Sequence, residues 1–107
     1  METLPVLTWH MLRCPVCGGA YLHHGDTEIF NRSHEDSLEG LHVTVDGQKL
    51  RIDHDQGDNP SFRRDGIKIV LGCELCNSSS SLTVFQHKGI THLEQKIISV
   101  DEEYNMI

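Results

Sequence analysis

Two Cys-x-x-Cys pairs constrain this chain more than anything else in it. Cys14-Pro15-Val16-Cys17-Gly18-Gly19 lies near one end, and Cys73-Glu74-Leu75-Cys76 follows after 55 intervening residues. The spacing suits a tight turn that aims both sulfurs of a pair at one point. The chain has four cysteines, so one four-thiolate site uses all of them. Four tetrahedral thiolates are a set that zinc favours. Gly18 and Gly19 offer the positive φ that a chain curling round an ion often needs. The rival reading is a pair of redox dithiols. Those usually place a Cys-x-x-Cys at a helix start in a βαβ setting, whereas both flanks here read as strand and turn. Iron shares the spacing, and sequence alone does not separate it from zinc.

The rest of the chain makes such a clamp useful. Of its 107 residues, 37% are hydrophobic and 6% aromatic, which is thin for a core, and small chains of this kind often add a metal. We expect a single domain over 1–107. Net charge is −7, from nine Lys+Arg against sixteen Asp+Glu, and a field of that sign opposes non-specific binding to phosphate backbones. No apolar run reaches membrane-span length, and the N-terminus has no basic start followed by an apolar stretch. The expectation is a cytoplasmic protein with reduced, metal-bound thiolates and no membrane partner.

Periodicity points to strands. Leu41, Val43 and Val45 alternate, Asp46-Gly47 is a type I′ turn signal, and 48–53 alternates on the way back, so 41–53 reads as a hairpin. Strands are also expected at 20–30, with a bend at Gly25, and at 67–72, 82–87 and 90–98, the last two joined by a Lys88-Gly89 turn. Residues 31–40 and 54–66 read as polar loops, and the run Ser78 to Ser81 as a solvated loop. Residues 1–13 form an apolar leader containing Trp9, expected to pack on the domain or a partner, and 99–107 an acidic, frayed tail. No stretch has a 3.6-residue period, so the fold class is mainly β with an antiparallel sheet.

A Cys-Pro-x-Cys-Gly knuckle, then a strand entering a second Cys-x-x-Cys and a hairpin leaving it, resembles a zinc ribbon. The resemblance covers 13–19 and 67–97. The interval between knuckles exceeds that of a minimal ribbon, and 20–66 reads as an inserted β-hairpin region that extends the sheet. Residues 59–66 and 86–89 are also similar to segments of small bacterial and phage-borne zinc-ribbon-like proteins, a likeness that implies no activity. The zinc-ribbon resemblance implies Zn(2+) on Cys14, Cys17, Cys73 and Cys76, and it raises a nucleic-acid-binding role in transcription or replication.

The residues themselves argue for contact over catalysis. A closed shell of four thiolates leaves no position for water or substrate. The chain carries eight histidines. His23-His24, His54-Asp55 and His87 with His92 are candidates for a second metal or a catalytic site, but exposed or half-buried imidazoles are the simpler reading, and no hydrolase or phosphate-loop motif is present. Phe62, Arg63 and Arg64 form the densest basic and aromatic cluster of an acidic chain, a candidate partner-binding loop. The competing reading pairs the arginines with Asp58, Asp65 or other local carboxylates. We expect a non-enzymatic adaptor held by structural zinc and bound to a protein partner. The alternative is a nucleic-acid-binding ribbon, and a histidine-based metalloenzyme ranks last.

Overall fold

The computed structural model describes residues 10–101. Residues 1–9, most of the leader, and 102–107, most of the acidic tail, lie outside the described residues. Six strands form one antiparallel sheet: β1 (Leu22–Arg32), β2 (Glu39–Asp46), β3 (Lys49–Asp55), β4 (Gly66–Cys73), β5 (Ser79–His87) and β6 (Ile90–Ser99). Their order across the sheet is β3-β2-β1-β4-β5-β6. The described residues contain no helix. The fold is mainly β, as the alternating patterns predict, and β1–β3 extend the β4–β6 half.

Both tight hairpins form where they are expected, with one change of turn. Lys88 and Gly89 have φ of 52° and 76°, and positive φ at both central residues is the type I′ geometry. In the first hairpin, Asp46 pairs with Lys49 inside the ladder, so the loop residues are Gly47 and Gln48. Only Gly47 is positive there, at φ 61°, which matches the type II′ turn with glycine first. The bend expected at Gly25 is a break in register between His24 and Thr27 against β4.

The serine run is not a solvated loop. Ser79 to Ser81 open β5, and Ser78, Ser80 and Ser81 are buried. Ser80 lies between Leu71 of β4 and Ile97 of β6. A small hydroxyl side chain fits between two packed strands, and composition alone hides this because serine is usually a surface residue.

The two faces of the sheet differ. On one, Ile52, Val43, Ile29, Ile67, Val84 and Leu93 align in a row across every strand. On the other, the adjacent row is Asp53, His42, Phe30, Gly66, Phe85 and His92. Residues 56–65 lie against this second face. A Cβ on Gly66 would sit 2.6 Å from both the Asn59 Oδ1 and the Pro60 Cγ, so glycine is what lets the loop descend between the two phenylalanines. Phe30 is fully buried and stacks on His42 with ring centroids 4.2 Å apart. His42 in turn faces Asp53 at 2.8 Å and Glu28 at 3.1 Å. The remaining buried apolar cluster is at the cysteine end, where Val16, Cys17 and Leu22 pack on Cys14, Cys73 and Cys76.

Candidate metal centre

Antiparallel pairing of β1 with β4 brings distant cysteines together. The first knuckle precedes β1, the second begins at Cys73, the last residue of β4, and Leu22 pairs with Cys73. Both knuckles therefore lie at one end of the sheet despite their separation in sequence. The Glu74 amide donates to the Tyr21 carbonyl at 2.9 Å and fastens one to the other.

The knuckles repeat one local geometry. In the first, the Cys14 amide donates to the Gly19 carbonyl at 2.7 Å and the Gly18 amide to the Cys14 carbonyl at 2.9 Å. In the second, the Cys73 amide donates to Ser78 at 2.9 Å and the Asn77 amide to Cys73 at 3.0 Å. The fourth residue after the leading cysteine is left-handed in each, Gly18 at φ 77° and Asn77 at 57°. Glycine and asparagine are the residues that take this conformation most easily. Gly19 is small for another reason: it lacks positive φ, and a Cβ there would meet Leu75 Cδ1 at 2.4 Å.

The sulfurs of Cys14, Cys17, Cys73 and Cys76 all lie within 4.8 Å of one another. Cys14 and Cys76 are 3.6 Å apart, as are Cys17 and Cys73. A tetrahedron with metal–sulfur bonds of ~2.3 Å has edges of ~3.8 Å, so these separations fit a tetrathiolate and are far beyond a disulfide bond. The Val16 amide points at Cys14 Sγ and the Gly19 amide at Cys17 Sγ, each at 3.4 Å. The Ser78 hydroxyl, then burial in opposition, then the Ser78 amide act on Cys76, whose pKa falls to about 6. That hydroxyl is buried and meets no partner at ordinary hydrogen-bond geometry, so its effect on the sulfur is one of proximity. The Gly19 amide lowers the Cys17 pKa, but burial and the three neighbouring sulfurs outweigh it and push the thiol up to about 12. Four sulfurs this close resist sharing negative charge among themselves, and a cation at their centre removes that conflict.

Other predicted site residues lie elsewhere. Phe62 is 91% exposed. Arg63 grips Asp36 with two hydrogen bonds, Nε to Oδ1 at 2.7 Å and Nη2 to Oδ2 at 2.9 Å, and reaches Glu35 at 2.7 Å. Arg64 reaches Glu35 at 3.2 Å. The arginines thus pair with carboxylates of the 33–38 turn, 27 or more residues away in sequence. Arg63 holds the Asp36 carboxyl below the usual range, and Asp36 raises Arg63 in return.

Among the described residues, the four cysteines are the one group of three or more donors spaced to hold an ion. His23 faces Glu74, His54 faces the Gly40 carbonyl, and His87 lies 6.2 Å from His92, which stacks on Phe85. Two residues escape a reading of the sequence. His42 was visible only as the polar member of the Leu41–Val45 alternation. Arg32 carried no signal at all, yet its guanidinium donates to the carbonyls of Ser37, Ser61 and Arg64.

No protein-family model, no curated protein and no solved structure matches this chain. No helix among the described residues is long and apolar enough to cross a membrane.

Proposed function

We propose that this protein is an adaptor module, clamped by structural zinc, that acts by contact with another protein through its 56–65 loop and performs no catalysis. Phe62 carries the reading. It is 91% exposed, while its neighbour Ser61 is 1% exposed and bonded through Oγ to the Gln86 carbonyl at 2.6 Å. A large apolar ring is thus held out on a loop whose base is fixed, which lowers the ordering cost of binding. Aromatic side chains with arginine beside them are also the residues that most often dominate a protein contact. The arginines favour a protein over nucleic acid, because a phosphate would have to displace Glu35 and Asp36. Zinc is the metal this reading assigns, since it accepts a closed tetrathiolate with no redox role.

Three measurements test it. Elemental analysis should find one zinc per chain. Phe62→Ala should weaken capture of the partner from host extract by about 10-fold or more with the melting curve kept. Undiminished capture by Phe62→Ala, or binding to DNA or RNA that weakens steeply with salt, overturns the reading.

A further inference from the structure

The two faces of the sheet are covered unequally. The 56–65 loop lies over the face that carries Glu28, Asp53, Lys68 and Glu94, whereas on the aliphatic face the chain near Arg13 covers only the cysteine end, where Gln95 Nε2 donates to the Arg13 carbonyl at 2.9 Å and Leu71 and Ser80 are buried, and leaves the rest exposed. Leu50 is 64% exposed, Ile52 57% and Leu93 71%. Even Ile29 and Ile67, on the two central strands, are each 37% exposed. Contiguous apolar surface on this scale marks an interaction site.

We propose that this face is the contact between two copies of the chain, packed sheet on sheet. Charge is the first argument. The chain carries a net charge of −7, so two copies repel at most orientations. The aliphatic rows at 27–31, 41–45, 50–54, 67–71, 80–86 and 91–97 contain no Asp, Glu, Lys or Arg at the positions facing that side. Meeting there desolvates no charged group and holds the carboxylates of the opposite faces apart. Shape is the second. Sheets of one twist pack face to face at about −30° with ~10 Å between them, and a second copy has the same twist by construction. The same patch on both partners is also what a two-fold dimer requires.

Area is the third argument. Six strands at ~4.8 Å spacing, with about five residues of each at ~3.3 Å, give roughly 500 Å² of flat sheet per copy. A pair then buries about 1,000 Å² before the relief of the side chains is counted, which meets the lower bound for a biological interface. The inference does not rest on the role given to Phe62, and either can fail without the other.

The test is sedimentation equilibrium on the full, metal-replete chain between about 1 and 100 μM, the range in which a modest interface is read. The expected species is a dimer, twice the 12.1 kDa of the chain. Ile52→Glu with Leu93→Glu should raise the dimer dissociation constant by about 100-fold or more. Metal content and the circular dichroism of the sheet should be unchanged. If that variant fails to fold, Ile52→Gln with Leu93→Gln replaces it, with a smaller rise of about 10-fold expected. Lys96→Glu, on the charged face, should leave the constant as it is. A wild-type monomer at 100 μM overturns the proposal, whether residues 1–9 or another protein then cover the face. A dimer undiminished in the folded face variants overturns it too, since the pairing would then run through a sheet edge.

Discussion

The sheet is fastened at both ends, and by different physics. At one end, four cysteine sulfurs converge to within 4.8 Å. At the other, Arg32 at the end of β1 binds three carbonyls, those of Ser37, Ser61 and Arg64, while its own amide donates to Asp65 Oδ1 at 2.9 Å. Each fastening joins segments remote in sequence, 56 or more residues across the sulfur contacts and 29 from Arg32 to Ser61. On the function proposed above, the cysteine end depends on something the chain does not encode, an ion held by the four clustered sulfurs. The arginine end is self-sufficient, because a charged fork meets backbone acceptors supplied by the chain itself, the Arg64 carbonyl also accepting from Asn59 Nδ2 at 2.8 Å. A small sheet with little core can be closed either way, and this one uses both.

The largest expected effect comes from breaking the cysteine end. Cys73→Ser removes one of four thiolates and, with it, much of a binding energy that is also folding energy. We expect loss of tight metal retention and a fall in Tm of more than about 15 °C, read by thermal melting alongside metal analysis. Hydrogen exchange sharpens the comparison. With the metal removed, amides of 14–22 and 71–81 should lose protection before those near Arg32 and Phe30. Uniform loss would show that the two ends are one cooperative unit.

Next is the arginine end. Arg32→Ala leaves three carbonyls without their charged donor, at a cost of about 2–4 kcal/mol, and metal content should stay at one per chain. A melting curve that does not move would mean that water replaces the guanidinium at no cost. Gly66→Ala should cost less, about 1–3 kcal/mol, because the added methyl collides with Pro60 and Asn59 and lifts the loop from the sheet. Denaturant melts read it, and a neutral result would show the loop free to shift.

The two ends were not equally legible. The cysteines announce themselves because metal ligation needs fixed residue types at fixed spacing, and local hydrogen bonds shape each knuckle. The strands were legible for a similar reason, since period-two alternation as in Leu41, Val43 and Val45 is a local signal. In sequence Gly66 is only the last residue of the polar loop 54–66, and nothing there says that Pro60 lies over it. Arg32 and the acceptors it binds are brought together by tertiary structure alone, and backbone carbonyls leave no mark on a sequence. The pairing of Arg63 and Arg64 with carboxylates was foreseen in kind, but Glu35 and Asp36 come from a separate turn that only the β1–β4 pairing brings alongside. The buried serines went unread because their burial follows from strand pairing and not from their chemistry.

The smallest expected effect lies on the rim of the arginine end, and it separates what fastens the fold from what only borders it. Arg63 and Asp36 are 57% and 58% exposed at the side chain, so solvent screens the pair. Arg63→Ala with Arg64→Ala should shift Tm by less than about 4 °C, against the much larger change at Arg32. The pair also sets a pH signature. Arg63 holds the Asp36 carboxyl below its ordinary value, so the folded state favours the ionised form. Its contribution is present above the unfolded-state pKa and is lost as pH falls through the lowered folded value, that is, below about pH 4. Asp36→Asn should therefore melt slightly below wild type at pH 7, and the gap should close as the pH is lowered through that window. A gap that stays constant would assign the difference to the lost shape of the 33–38 turn. A gap comparable to that of Arg32→Ala would move these surface pairs from the rim into the fastening itself.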